Sequence, residues 1–195
     1  MAQIYSDLKN RMYVSANQFD LMLLRLALMV KKSYQPENIV VVERGGFAPL
    51  RRILDVFPDV PYDSLRVTHY LEDGVALDEP RIVKPLRYPE KVRDKKNLVL
   101  EECTDTGKTS MLVKNYLKEL GAKDVRVGVL FHKYRSKFEP DWFVDRTDKW
   151  IYFWYETIES GRNLRNKGMS VDDVVAHFRD VGVPEEELEI LIHFI

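Results

Sequence analysis

The chain has 195 residues, 45% hydrophobic and 31% charged, enough for one sizeable core and short for two full domains. Lys+Arg number 30 and Asp+Glu 31, so no global field favours nucleic acid or an anionic membrane, and any anion site must be local. Cys103 is the single cysteine, which excludes an internal disulfide and accords with a reducing cytosol; the most apolar stretch, 19–30, contains Asp20 and Arg25 and falls short of the roughly 20 residues a membrane span needs, so the chain reads as cytoplasmic.

In chain order, Ser15 and Gln18 have capping-box spacing, and Phe19, Met22, Leu23, Leu26, Ala27 and Val30 recur at helical intervals, which predicts an amphipathic helix. The β-branched run "NIVVVE" (38–43) predicts a strand, and "RGGFAPLRRILDVF" a glycine turn opening a second helix. A further strand is expected at 64–70. The stretch that follows, from Leu71 to about Arg87, is polar and without period, and predicts a long loop. "NLVLEE" predicts a strand, 106–120 a helix stopped at Gly121, and 125–133 and 149–156 two more strands, in the second of which Phe153 and Trp154 read as core. Strands alternating with helices imply a mostly parallel sheet covered on both faces. From about Ser160 the character changes, and two short helical patterns follow, the last with Leu188, Leu191, Ile192 and Ile195 on one face. The expected organisation is therefore a main α/β domain over 1–159 and a C-terminal helical extension over 160–195.

Two glycine turns fall where strands end, which is where open parallel sheets collect ligands. In "NLVLEECTDTGKTS" (97–110) the Gly-Lys-Thr ending is that of a nucleotide P-loop, yet the position needing the loop's other glycine is Glu102. Two carboxylates, Glu101 and Glu102, stand where a triphosphate would lie. Gly107 permits close backbone approach, and the N–H groups of Thr106, Gly107, Lys108 and Thr109 at a helix start, with the hydroxyls of Thr106 and Thr109 as added donors, suit a monophosphate. The acid pair can accept from vicinal hydroxyls and hold a hydrated Mg²⁺. Phosphate beside diol describes a ribose 5-phosphate. In "ERGGF", Arg44 offers a forked donor, and Gly45 and Gly46 permit an unusual backbone that turns several N–H groups toward an anion. His69, His132, His177 and His193 show no metal-ligand spacing.

These motifs resemble the type I phosphoribosyltransferases. "NLVLEECTDTGKTS" is similar to their phosphoribosyl loop and "VVVERGGFAPLRRIL" to their pyrophosphate loop, and the order of parts agrees from Val14 to Glu156. The pair Glu101–Glu102 departs from the pattern, since many members carry at least one Asp there. The resemblance implies the family's fold: a mostly parallel sheet flanked by helices, with a small hood, here followed by the helical appendage. It implies transfer of a 5-phosphoribosyl group from phosphoribosyl pyrophosphate to a ring nitrogen with Mg²⁺, giving a nucleoside monophosphate and pyrophosphate. It makes the loop after His69 and Tyr70 a lid. Asp105 stands where 6-oxopurine members keep the aspartate that faces N7, and adenine-specific ones have Ala. Lys133 would donate to O6, Trp150 would stack on the base, Ile151 would offer backbone groups, and Glu156 matches an acidic position near metal and pyrophosphate. A lysine donor suits a carbonyl oxygen better than an amino group. The reading is thus a 6-oxopurine phosphoribosyltransferase, a homodimer or higher oligomer; an adenine enzyme on the same scaffold and a non-catalytic sensor of phosphoribosyl pyrophosphate are its rivals.

Overall fold

Six strands order the larger of two units. In the computed structural model, which describes residues 10–70 and 76–195, that unit is Met22–Thr147, and the smaller comprises the described part of Met1–Leu21 with Asp148–Ile195. In chain order the elements are β1 (Arg11–Val14), α1 (Ala16–Ser33), β2 (Asn38–Glu43), α2 (Phe47–Val56), β3 (Tyr62–Tyr70), β4 (Ala76–Lys84), β5 (Lys96–Thr104), α3 (Lys108–Glu119), β6 (Asp124–His132), β7 (Trp142–Arg146), β8 (Trp150–Phe153), α4 (Thr157–Asn166), α5 (Val171–Asp180) and α6 (Glu185–Leu191). The expected capping box starts α1: the Gln18 N–H donates to Ser15 Oγ at 3.3 Å, and the Ser15 N–H to Gln18 Oε1 at 3.0 Å.

The sheet of the larger unit runs β4-β3-β2-β5-β6-β7, and every neighbouring pair is parallel except β3 with β4. This is the mostly parallel α/β sheet expected. Its central strands are apolar on both faces, as a sheet covered twice requires. Alternation sorts the helices: Val127 and Val129 pack in one cluster with Val113 and Leu117 of α3, whereas Gly128, pointing the other way, faces Leu26 of α1, its missing Cβ lying 3.4 Å from Leu26 Cδ1.

Where a long loop is predicted, β4 occupies 76–84 and only 71–75 lie outside the described residues. The strand is an edge strand, so it needs hydrogen bonds on one side only. It therefore tolerates Pro80 and carries polar side chains, and its register against β3 shifts at Arg66/Val67 and Thr68/Tyr70, which erases the period that marks a strand in sequence. Strand β7 is the opposite edge.

In the smaller unit β1 and β8 form a parallel pair, from Arg11↔Trp150 to Val14↔Phe153. Its core joins Tyr152 to Leu164, Met169, Val174, Phe178, Val183, Leu188 and Leu191. Tyr152 meets Phe178 edge to face at 5.1 Å and shares a 3.1 Å hydrogen bond with His177 Nε2. Phe153 is buried as expected. Trp154, read as core, is instead 42% exposed, because the strand ends at Phe153 and a turn carries the next side chain outward.

Candidate active site

Strand register builds the site. β5 and β6 pair in parallel up to Cys103↔Phe131 and Thr104↔His132, so the residues that leave the sheet next, Asp105 and Lys133, emerge at the same edge. The Lys133 N–H donates to the Thr104 carbonyl at 3.0 Å, and Lys133 is 5% exposed. The charges of Lys133, Asp105, Glu101 and Glu102 all act on the Cys103 thiol, whose burial pushes its pKa up to about 12. A thiol held neutral is a poor nucleophile.

Glu101 and Glu102 close β5. Ser110, in the first turn of α3, donates to Glu101 Oε2 at 2.6 Å; burial nonetheless pushes the Glu101 pKa up to about 7, with the charge of Glu102 adding to the rise. Nothing in the motif spacing marks Ser110 as the group that steadies Glu101. Gly107 has φ 83° and caps α3. A Cβ there would lie 2.5 Å from Phe138 Cβ and 2.8 Å from Ser136 Oγ, so glycine is required both by backbone and by space. Thr106 Oγ1 accepts from the Lys108 N–H at 3.4 Å. Lys108 Nζ reaches Glu79 Oε1 at 2.9 Å and donates to the Asp78 carbonyl, both on β4, and Thr109 Oγ1 lies 2.9 Å from His69 Nε2 at the end of β3. Three contacts thus tie the arm formed by β3 and β4 to the turn at the start of α3. Tyr70 ends β3 beside His69.

The second turn stands at the end of β2, and its Glu43–Arg44 peptide is cis. Sequence reasoning assigns Gly45 and Gly46 to an unusual backbone conformation, but neither has a positive φ, and Gly46 is right-handed at φ −64°. Space is the reason for glycine. A Cβ on Gly45 would fall 2.1 Å from Glu102 Cδ, and one on Gly46 would fall 2.6 Å from both the Leu100 and Val42 carbonyls. The Glu102 carboxylate therefore lies against the backbone of this turn. Below it, Glu43 Oε1 accepts from Ser64 Oγ and Lys84 Nζ, each at 2.5 Å; burial opposes its charge, yet these bonds hold its pKa below the ordinary carboxylate value. Arg44 is exposed at the mouth of the turn.

The larger unit thus brings together Arg44, Gly45, Gly46, His69, Glu101, Glu102, Asp105, Thr106, Gly107, Lys108, Thr109 and Lys133. Trp150, Ile151 and Glu156 belong to the smaller unit: Trp150 is 54% exposed with the Arg11 guanidinium 5.1 Å from its ring centre, Ile151 is buried, and Glu156 precedes α4. Among the described residues no three His, Cys, Asp or Glu side chains group to hold a metal, and no helix is long and apolar enough to cross a membrane. The carboxylates of Glu101 and Glu102 are hard oxygen donors, the type that Mg²⁺, an ion that keeps most of its waters, takes one or two of.

Residues 23–158 match the family described as "Phosphoribosyl transferase domain". A curated relative, the hypoxanthine-guanine phosphoribosyltransferase of Schistosoma mansoni, is 32% identical over 118 residues, covering 53% of this chain and 40% of that protein, so the chain spans less than half of its length. Among solved structures, the purine phosphoribosyltransferase of Pyrococcus horikoshii superposes with a TM-score of 0.66 at 32% identity, covering 74% of this chain and 93% of that one. The Helicobacter pylori xanthine-guanine-hypoxanthine phosphoribosyltransferase shares the fold at a TM-score of 0.62 and 23% identity, over 80% and 97% of the two chains. With residues 23–158, most of this chain, matched by the family, and with its two glycine turns meeting at one sheet edge, the chain belongs to the phosphoribosyltransferase family.

Proposed function

We propose that this chain is a purine phosphoribosyltransferase, moving the 5-phosphoribosyl group of phosphoribosyl pyrophosphate to N9 of a 6-oxopurine: hypoxanthine, guanine or xanthine. The observation that carries the reading is the emergence of Asp105 and buried Lys133 from register-paired Thr104 and His132, beside the Glu101–Glu102 pair. The names of the schistosome and Pyrococcus relatives point the same way. In the reaction the bond from ribose C1′ to pyrophosphate breaks, a bond from C1′ to N9 forms, and the ring gives up a proton. The N–H groups and hydroxyls of Thr106 to Thr109 hold the 5′-phosphate at the start of α3. Glu101 and Glu102 accept from the ribose hydroxyls. Arg44 and the amides around Gly45 and Gly46 take the pyrophosphate, whose departure leaves positive charge on the ribose that nearby carboxylates stabilise. Glu101 and Glu102 would hold Mg²⁺, whose chemistry when bound is neutralisation of pyrophosphate charge.

Asp105 accepts the ring proton and Lys133 donates to O6; an exocyclic amino group in that place would meet a second donor, which disfavours adenine. The stacking role of Trp150, the edge contacts of Ile151 and the acidic role of Glu156 rest on the resemblance alone, as does closure of the arm carrying His69 and Tyr70 to shield the centre from water. The division into 1–159 and 160–195, a cytoplasmic setting and a homo-oligomer belong to the same reading. Exposed Leu24 and Leu28, one turn apart on α1, favour the last, and sedimentation checks it.

The deciding experiment is turnover of guanine, hypoxanthine, xanthine, adenine and uracil with phosphoribosyl pyrophosphate and Mg²⁺, read by ultraviolet absorbance and pyrophosphate release. Preference for a 6-oxopurine supports the reading. Preference for adenine overturns the base assignment, and tight ligand binding without any turnover makes the chain a sensor.

A further inference from the structure

Asp105 does not stand alone at the sheet edge. Arg135 donates from Nε to Asp105 Oδ1 at 2.8 Å and from Nη2 to the same oxygen, so both arms of the guanidinium fork fall on Oδ1 and neither on Oδ2. The turn that carries Arg135 is stitched to the phosphoribosyl loop by its backbone. The Lys133 N–H donates to the Thr104 carbonyl at 3.0 Å and the Lys137 N–H to the Thr106 carbonyl at 3.1 Å, one bond on each side of Asp105. The turn is also closed on itself, by Ser136 N–H to the Lys133 carbonyl at 3.0 Å and by Ser136 Oγ to the Phe138 carbonyl at 2.9 Å. Phe138 in turn fills the space that a side chain on Gly107 would need.

We infer that Arg135 is the positioning residue for Asp105: by engaging Oδ1 it fixes the carboxylate's rotamer and presents Oδ2 to the purine. This deepens the purine reading above and rests on it. A carboxylate on an exposed loop has free χ1 and χ2 rotations, and a base accepting a proton from a bound ring needs one oxygen held within hydrogen-bond reach. Both side chains are half exposed, 54% for Arg135 and 50% for Asp105, so the pair adds little to stability. An arrangement so costly in side-chain freedom and so weak in stability gains its effect through orientation. The guanidinium suits this because its fork is planar and pre-organised, which an ammonium is not.

The test is a double-mutant cycle on turnover. Arg135→Ala should lower kcat by about tenfold or more, change KM for phosphoribosyl pyrophosphate by less than about twofold, and leave the melting temperature nearly unchanged. Arg135→Lys, with one point charge in place of the fork, should recover part of the loss. In the Asp105→Asn background, Arg135→Ala should cost nothing further. An unchanged kcat in Arg135→Ala overturns the inference; so does an equal loss in both backgrounds, or a raised KM for phosphoribosyl pyrophosphate at unchanged kcat, which would make Arg135 a pyrophosphate ligand. A wild type silent on every base refutes the purine reading separately. The cycle is then read by calorimetry with inosine monophosphate: coupling between the two positions sustains the pairing role, and its absence, or no binding at all, ends it.

Discussion

Glu101 carries its charge reluctantly, and that gives the larger unit a pH dependence. Burial raises its pKa from 4.5 to about 7, so between these values the folded chain holds a proton that the unfolded chain has lost. The contribution is fully present below the unfolded value and is lost as pH rises through the folded one, a difference on the order of 3 kcal/mol. Thermal melts at pH 5 and pH 8 should show Glu101→Gln and the wild type similar at the lower pH, and the variant more stable by several degrees at the higher. A variant less stable at both would place the cost elsewhere. Two glycines permit a sharper separation of fold from function. Gly107→Ala meets Phe138 and a positive φ, both rigid, and should lower stability by about 1–3 kcal/mol. Gly45→Ala meets first the carboxylate end of Glu102, the far end of a side chain rather than backbone, so it should cost less stability than Gly107→Ala while affinity for phosphoribosyl pyrophosphate falls; retained affinity, measured by calorimetry, would detach Glu102 from the ribose. Glu101, Glu102 and the loop 105–109 are legible in sequence because the proposed chemistry calls for those types at adjacent positions. Ser110 and Arg135 are not. Each acts on a partner, Glu101 and Asp105, from a different element, and only strand register brings the partners together.

At the scale of elements, central strands are legible and edge strands are not. β2, β5 and β6 must be apolar on both faces, which leaves an unbroken signal, whereas β4 and β7 answer to one neighbour each and can look like loops. Missing β4 hides the two groups that hold Lys108, the Glu79 carboxylate and the Asp78 carbonyl. Glu79 is 75% exposed and Lys108 39%, a pairing worth roughly 0.2–1 kcal/mol. Since an incoming 5′-phosphate at the same loop would compete for Lys108, Glu79→Gln should raise affinity for phosphoribosyl pyrophosphate up to about fivefold, and the gain should shrink as salt screens the pair. A weakened affinity in that variant would mean that the β4 carboxylate helps to build the site.

Across the whole molecule the sequence marks a change of composition near Ser160, yet packing runs through it: Tyr152 of β8 lies in one core with Phe178 of α5 and Leu188 of α6. Helix periodicity reveals the apolar faces of α5 and α6, but not that a tyrosine before the boundary is their partner, since that contact joins residues far apart in the chain. The same core holds a titratable group whose pH response runs opposite to that of Glu101. His177 is 8% exposed beside Tyr152; burial lowers its pKa below the ordinary 6.5, the charge of Arg11 lowers it further, and Asp180 opposes them. Below pH 6.5 the unfolded chain takes up a proton that the folded chain resists, so this contribution is present above the unfolded value and is lost as pH falls. Acidification from pH 7.5 to 5.5 should therefore weaken hydrogen-exchange protection, corrected for intrinsic rates, in α5 and β8, while the Glu101 contribution moves the other way in β5. His177→Gln, which keeps a polar partner for Tyr152 without the titration, should remove the acid response in the smaller unit and leave that of β5 intact. Equal loss of protection in β5 and α5 on acidification, persisting in His177→Gln, would show that neither group governs the response and that the two cores open as one.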